Sequence, residues 1–230
     1  LFGNRSTLDL DSATLVNILE GGVIQGSGAD LLMDLNAGEL FQQDPGSGII
    51  AGAEFDNSSG TPVAVLTGAD SDVVISSPSE LLIGGSVTTS GEMTLNAGAA
   101  LLDHSDTFNA IAALDPEHYL IGHSTYSVLL TGTLTTLGPD SELRFAVEDD
   151  IIIRGNINVL GARSDLFLQS DVWVYIEGFL KVSDGITVLG GLAAGGTDLG
   201  GAEARGSSLY VHETAQITTS DAGSSIDMRG

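Results

Sequence analysis

Three stretches with one shared pattern decide the fold: VLLTGTLTT at residues 128–136, IIIRGNINV at 151–159 and VYIEGFLKV at 174–182. Each stretch has glycine at its fifth position, so Gly132, Gly155 and Gly178 recur every 23 residues. Polar, turn-forming residues separate the stretches, and a second short β-rich run lies between them. A constant interval of this length indicates a repeated structural unit of the kind found in solenoids.

Aligning the three stretches places residues of the same kind in columns. The apolar columns are Val128–Ile151–Val174, Leu130–Ile153–Ile176, Leu134–Ile157–Leu180 and Thr136–Val159–Val182, with Leu143–Leu166 in the second run. Polar residues alternate with these columns, and the column Thr131–Arg154–Glu177 sets opposite charges on successive units. Alternation with a period of two is typical of β-strands that bury one face. We therefore expect the apolar columns to face a shared interior.

The pair Arg154–Gly155 interrupts the apolar pattern of the middle unit. The alternation places the Arg154 side chain on the solvent face. Gly155 has inward parity but no side chain. This predicts a bend, or a close approach of neighbouring strands, at which a Cβ atom would crowd the interior.

These features predict an all-β protein, a right-handed parallel β-helix with coils of about 23 residues that spans residues 1–230 as a single domain. Parallel stacking puts like residues beside like residues at a fixed offset, as the columns require. A propeller blade needs about 40 or more residues, and a hairpin sandwich should contain regular Asn-Gly or Asp-Gly turns. Asp-Gly occurs once, at Asp184–Gly185, and Asn-Gly does not occur.

Two segments depart from the repeat. Residues 103–125 contain the helix-compatible run DTFNAIAAL, which Ser105 or Asp106 could cap, and we expect a loop with a short helix. Residues 190–206 are rich in glycine and alanine, and we expect a loop there. Because the sequence opens and closes within repeat-like text, we expect a segment of a longer β-helical chain.

The chain is strongly acidic. Its 230 residues include 31 acidic and 7 basic residues, for a net charge of −24. A surface of this sign repels phosphate backbones and anionic membranes, so we expect neither nucleic-acid binding nor membrane insertion. Cysteine is absent, which excludes disulfides and thiolate chemistry.

The same charge attracts divalent cations. Carboxylate oxygens at turns are ligands that calcium prefers, so we predict calcium sites at Asp70 with Asp72 and at Asp149 with Asp150. The sequence contains neither an EF-hand loop nor a nonapeptide calcium repeat. We expect no cofactor to be required, with calcium as the candidate ion.

No motif identifies an enzyme. The sequence lacks a GxSxG elbow, a P-loop and a dinucleotide fingerprint. Asp149, Asp150, Asp165 and Asp171 could form a carboxylate cluster near Arg163, of the kind that cleaves sugars in β-helix enzymes. The surface offers few cations for acidic sugars, so we predict no catalytic residues and no enzymatic activity.

Two further features are weaker candidates for binding. Trp173 and Tyr175 have the parity of exposed residues and could stack on sugars. The stretch DPEHYLIGH at residues 115–123 contains two histidines, His118 and His123, beside acidic residues. Its spacing matches no metal-ligand motif, and a solvated loop explains it better.

The stretch GNINVLGARSDLFLQSDVWVYIEGFLKVSDGITVLGG at residues 155–191 resembles the repeats of filamentous-haemagglutinin-like adhesins, which are giant secreted bacterial proteins. The resemblance covers residues 127–190, and the rest of the chain shares its style. It implies a right-handed β-helix that acts as a rod on the cell surface.

The resemblance sets the functional expectation. We expect a structural or adhesive protein, extracellular or on the cell surface, that associates head to tail into a fibre or with neighbouring segments of the same long chain. Glycans of a host or a neighbouring cell are the other expected partners. The alternatives are a carbohydrate-active β-helix (polysaccharide lyase, hydrolase or binding module) and a viral fibre or tailspike.

Overall fold

The computed structural model describes residues 5–56, 63–98, 127–190 and 209–229. The strands are β1 (Thr7–Ser12), β2 (Leu15–Ile18), β3 (Val23–Gly26), β4 (Leu32–Ala37), β5 (Leu40–Gln43), β6 (Gly48–Ala51), β7 (Ala53–Asp56), β8 (Val63–Leu66), β9 (Asp72–Ser77), β10 (Glu80–Ile83), β11 (Ser86–Thr89), β12 (Met93–Ala97), β13 (Val128–Leu130), β14 (Thr133–Thr136), β15 (Glu142–Val147), β16 (Ile151–Ile153), β17 (Asn156–Val159), β18 (Asp165–Ser170), β19 (Val174–Ile176), β20 (Phe179–Val182), β21 (Ile186–Leu189), β22 (Leu209–Val211), β23 (Gln216–Thr219) and β24 (Ile226–Arg229). These residues contain no helix, and so none that could cross a membrane.

The strands stack into three parallel sheets. Sheet 1 has the order β1-β4-β9-β12-β15-β18-β21-β24, sheet 2 the order β2-β5-β10-β13-β16-β19-β22, and sheet 3 the order β3-β6-β11-β14-β17-β20-β23. In its described residues the chain therefore visits sheets 1, 2 and 3 in turn seven times, and β24 begins an eighth coil. This architecture is a parallel β-helix, as the repeat predicts.

Each predicted apolar column is a ladder of paired residues in adjacent parallel strands. The ladders are Val128–Ile151–Val174 and Leu130–Ile153–Ile176 in sheet 2, Leu134–Ile157–Leu180 and Thr136–Val159–Val182 in sheet 3, and Leu143–Leu166 in sheet 1. All of these side chains are buried. The side-chain alternation read from the sequence is thus confirmed.

The ladders fill one continuous core that runs through the stack. A fully buried Val, Leu or Ile contributes about 1.5–3 kcal/mol. A coil on its own would expose its inner face to water, so this stabilisation depends on stacking. At the two ends the core residues are only partly buried, as Leu8, Leu10 and Met228 show.

A column of glycines sets the distance between coils at the turn from sheet 2 to sheet 3. A Cβ atom on Gly155 would lie 1.9 Å from the carbonyl oxygen of Gly132, and one on Gly178 would lie 1.8 Å from that of Gly155. The close approach predicted for Gly155 is confirmed. The adjacent Arg154 lies outside the core, where its Nε is 3.0 Å from Oε2 of Glu177 in the next coil.

In five of the described coils, the backbone is left-handed two residues before the sheet 1 strand, near the end of the turn that leads into it. These residues are Arg5, Asp30, Asp70, Asp140 and Arg163, with φ between 52° and 60°. A short polar side chain such as that of aspartate tolerates this conformation better than most. The same position in successive coils also forms ion pairs, between Arg5 and Asp30 and between Arg163 and Asp140.

Buried serines within this turn form a hydrogen-bonded ladder. The Ser164 hydroxyl donates to the carbonyl oxygen of Gly138 at 3.1 Å and accepts from the N–H of Ser141 at 3.0 Å. The Ser183 hydroxyl accepts from the N–H of Ser164 at 3.1 Å. The serines thereby satisfy backbone groups where strand pairing is interrupted.

Coil length varies at the same turn. Two hydrogen bonds link positions on adjacent coils that are 20 residues apart in sequence. The N–H of Glu92 donates to Asp72, and the N–H of Gly185 donates to Asp165. The central coils keep the predicted 23, as Ser141 and Ser164 show. The short coils have a shorter turn, because β12 begins four residues after β11 ends, whereas β15 begins six residues after β14 ends.

An antiparallel hairpin interrupts the stack between β6 and β9. It consists of β7 and β8, with Ala53 opposite Leu66 and Asp56 opposite Val63. The sequence did not predict this excursion, because its short β-rich runs look like those of the coils. The excursions predicted at residues 103–125 and 190–206 lie outside the described residues, apart from Gly190.

Candidate functional site

An open cleft of about 610 Å³ crosses the corner between sheets 1 and 2. It follows the carboxyl ends of β9, β12, β15 and β18, so it extends over four coils. Its polar lining residues are Ser77, Asn96, Glu148, Gln169 and Asp171. Small residues, Ala97, Gly98 and Ala146, make up much of the rest.

The register of sheet 1 explains how these side chains meet. Asn96 pairs with Ala146, and Ala146 pairs with Gln169, so the three form an outward ladder. Glu148 and Asp171 come directly after β15 and β18, and their N–H groups each donate to the preceding coil at 3.1 Å. Successive coils are about 4.8 Å apart. The two carboxylates therefore stand on neighbouring coils of one stack.

The polar groups of the cleft are largely available to a ligand. The side chains of Glu148, Gln169 and Asp171 make no hydrogen bond or ion pair in the described parts of the chain. Asn96 donates from Nδ2 to Oγ of Ser76 at 3.4 Å. The described lining residues include no Lys, Arg or His. This part of the lining can therefore accept hydrogen bonds from a neutral or cationic ligand but offers no positive charge to an anion.

The first predicted calcium pair lies at the turn into sheet 1. Asp70 is the left-handed residue of its coil, and Oδ1 of Asp72 accepts the N–H of Glu92 at 2.8 Å. Burial raises the pKa of Asp72; the Glu92 hydrogen bond opposes this shift and the charge of Asp70 adds to it. Both residues thus serve the turn itself.

The second predicted pair follows the carboxyl end of a sheet 1 strand, between β15 and β16, whereas the first pair lies at the amino end of such a strand. Asp150 is buried, and the carbonyl oxygen of Asp149 accepts the Ser170 hydroxyl at 2.6 Å. The two pairs are two coils apart and do not meet. Within residues 5–56, 63–98, 127–190 and 209–229, no three His, Asp or Glu side chains are placed to hold a metal. Calcium binding at either pair stays a prediction.

The carboxylate cluster predicted near Arg163 does not form. Arg163 instead donates from Nε and Nη2 to Asp140, at 2.6 Å each, and this hydrogen bonding lowers the pKa of Asp140. Asp165 accepts the N–H of Gly185 at 2.7 Å, and Asp171 lies in the cleft at the other end of β18. A full strand separates the two ends, so they cannot share a substrate atom.

Tyr175 points outward as predicted but is only 3% exposed. It pairs with Ile152 and Tyr210 in the outer ladder of sheet 2, and its ring stacks on Tyr210 with centroids 5.1 Å apart. Apolar residues occupy this outward position in successive coils, Leu129 included, so they pack on one another. The prediction of an exposed sugar platform at Tyr175 is wrong. Trp173 is half-buried.

Both ends of the stack present strand edges. Within the described residues, β1, β2 and β3 pair on one side only, as do β22, β23 and β24. Five of the nine exposed large apolar side chains of these residues lie in the end coils: Leu15, Leu19, Val23, Val211 and Ile226. Open edges with apolar neighbours are templates for pairing with another strand.

The histidines of residues 115–123 lie outside the described residues.

Comparison of the chain with models of protein families, with curated proteins and with solved structures gave no match. The class of the protein therefore follows from its own fold, which is that of a parallel β-helix with an open lateral cleft.

Proposed function

We propose that this β-helix is a structural and adhesive rod of an extracellular or cell-surface filament, and that its coils stack end to end with further coils. The observation that carries the proposal is the pair of open ends. At both ends of the described part of the stack, unpaired strand edges coincide with exposed apolar side chains.

Stacking would complete what each end coil lacks. Leu8 and Leu10 at one end and Met228 at the other belong to the core ladders but are only partly buried. Another coil with the same three-sheet order would cover them and pair the free edges in the same parallel sense. The added coil can belong to a second copy or to a neighbouring segment of the same long chain.

The charge of the chain suits a saline setting. Copies with a net charge of −24 repel one another at long range. At physiological ionic strength this repulsion is screened beyond about 8 Å, so apolar contact at the ends can prevail. The resemblance to filamentous-haemagglutinin-like adhesins supports the surface location and the adhesive role.

Sedimentation velocity over a range of protein concentrations tests the proposal. In about 0.5 M NaCl, which shortens the screening length, we expect the unsubstituted protein to form linear oligomers. Val23→Lys and Ile226→Lys place a charge at opposite ends, on side chains 59% and 49% exposed, so the fold should persist. Each variant should shorten the oligomers.

Leu160→Lys is the matched control, because Leu160 is also exposed but lies in the middle of the stack. It should leave the oligomers unchanged. A monomer at every concentration would contradict the proposal. So would a closed trimer, which the viral-fibre alternative expects, or oligomers that persist in both end variants.

A further inference from the structure

We propose that the cleft between sheets 1 and 2 binds a neutral oligosaccharide. This inference rests on the adhesive part of the proposed function, for which it supplies the ligand class. It does not depend on end-to-end stacking, so binding and assembly can be measured separately.

The dimensions of the cleft fit a chain of sugar units. Its volume of about 610 Å³ is in the range of small-molecule sites and far exceeds what an ion needs. It runs along the stack axis over four coils, and each coil advances about 4.8 Å. That step is comparable to the length of one sugar unit, so a repeating ligand can meet equivalent positions on successive coils.

The lining residues match the chemistry of hydroxyl groups. Glu148 and Asp171 accept hydrogen bonds, whereas the amides of Asn96 and Gln169 can both donate and accept. Sugar hydroxyls also donate and accept, so a glycan can satisfy all four side chains at once. Small residues such as Ala146 leave room for the C–H face of a sugar ring.

Other ligand classes fit less well. An acidic glycan would meet two carboxylates and no cation among the lining residues that the structure describes. A metal ion would find two acidic side chains, Glu148 and Asp171, among the described lining residues. In the described residues, no three His, Asp or Glu side chains are placed to hold a metal. The ammonium and guanidinium groups of a basic peptide can pair with Glu148 and Asp171 but cannot accept from the amides of Asn96 and Gln169, so only the peptide backbone could match those amides.

Saturation-transfer NMR and isothermal titration with three neutral pentasaccharides test the proposal: cellopentaose, mannopentaose and N-acetylchitopentaose. At least one should bind. Because the described lining residues of the cleft include no aromatic ring, we expect a dissociation constant on the order of 1 mM, at the weak end of the affinity scale. Glu148→Ala and Asp171→Ala should each weaken binding about tenfold by removing a hydrogen-bond acceptor.

Glu92→Ala is the control, since Glu92 is an exposed carboxylate directly before β12, outside the cleft. It should not change binding. Failure of all three pentasaccharides at about 10 mM, well above the expected dissociation constant, would overturn the proposal. Binding that both cleft variants leave intact would also overturn it. Tighter binding of CaCl2 or pentalysine through Glu148 and Asp171 would assign the cleft to a cation instead. Glu148→Ala should form the same oligomers as the unsubstituted protein, so loss of binding is distinguishable from loss of the rod.

Discussion

Gly155 shows how one residue controls the spacing of neighbouring coils. The carbonyl oxygen of Gly132 occupies the space in which a Cβ atom would lie. The obstacle is backbone, which cannot rotate away as a side chain would. The column formed by Gly132, Gly155 and Gly178 therefore fixes how closely successive coils approach at the turn from sheet 2 to sheet 3.

Gly155→Ala should lower the free energy of unfolding by about 2–4 kcal/mol, because the coils must separate to admit the methyl group. Gly48→Ala is the matched control, since a Cβ atom there meets Oγ of Ser86 at an ordinary 3.6 Å. That change should be neutral or stabilising by up to about 1 kcal/mol. Urea denaturation measures both, and equal stability of the two variants would contradict the close-approach argument.

Asp72 should make the protein less stable as its carboxyl ionises. Its folded pKa is raised above 3.8 by burial, so the charged form is disfavoured in the fold. Below the unfolded pKa both states are protonated and this effect disappears. Asp72→Asn should therefore raise the thermal midpoint at pH 7, and the gain should shrink as the pH falls through the folded pKa towards 3.8.

Asp165→Asn provides the comparison for Asp72→Asn. Asp165 accepts the equivalent N–H, from Gly185 at 2.7 Å, but is exposed. Its substitution should change the midpoint less. A midpoint for Asp72→Asn that stays equal to that of the unsubstituted protein across this pH range would refute the role given to burial.

At the scale of the element, the coil is the unit that adds or loses stability. The middle strands β16 and β19 are buried at every position, whereas β1 alternates between exposed and half-buried residues and β24 has no buried residue. Each coil contacts only its neighbours, so stability should vary along the stack.

Amide hydrogen exchange should reveal this gradient. Amides of β16 and β19 should exchange most slowly, and those of β1 and β24 most rapidly, because end coils can open without disturbing the centre. The measurement belongs at a concentration low enough to keep copies apart, since stacking would protect the ends. Uniform protection from β1 to β24 would show instead that the stack opens as one unit.

The sequence predicts the central coils well because their spacing is constant. A spacing of 23 residues aligns Ile153 with Ile176 directly. The alternation of side chains along each strand from β13 to β20 then predicts which side chains face the core and which face outward. The prediction weakens where the spacing changes. The 20-residue coils keep the same ladders but have three fewer residues at the turn from sheet 3 into sheet 1. No motif in the sequence predicts this shorter turn.

The candidate site was harder to predict for the same reason. Asn96 and Gln169 meet through the register of β12 with β15 and of β15 with β18. A long insertion separates Asn96 from the later coils, so no fixed interval links them. Glu148 and Asp171 are 23 residues apart, and that spacing alone could have flagged the pair. At Tyr175 the alternation predicts the outward direction of the side chain correctly but not its burial. The burial arises from apolar neighbours in the same outer ladder, which the alternation alone does not reveal.

At the scale of the whole molecule, charge opposes the compact state. The 31 acidic side chains greatly outnumber the 7 basic ones. The ion pair of Arg163 with Asp140 is exposed, and exposed pairs of this kind contribute little to stability. Self-repulsion should therefore dominate the electrostatic part of the unfolding free energy.

Raising NaCl from about 0.02 to 0.5 M should raise the thermal midpoint by several degrees, because screening reduces the repulsion. Circular dichroism at a low protein concentration measures the effect without assembly. Arg163→Met should respond to salt in the same direction, since the loss of one pair leaves the net repulsion in place. A midpoint that falls with NaCl would show that attractive pairs outweigh the repulsion.

The ladders also determine how the protein would respond to tension. Hydrogen bonds between coils run along the stack axis, so a pull on the two ends loads the bonds of one terminal coil before those of the next. Each 23-residue coil that peels away would release about 75 Å of extended chain at roughly 3.3 Å per residue, while the folded part shortens by only about 4.8 Å. If the coils stack into the filament proposed above, that filament would lengthen in steps and dissipate work at each step, as a tether under flow requires.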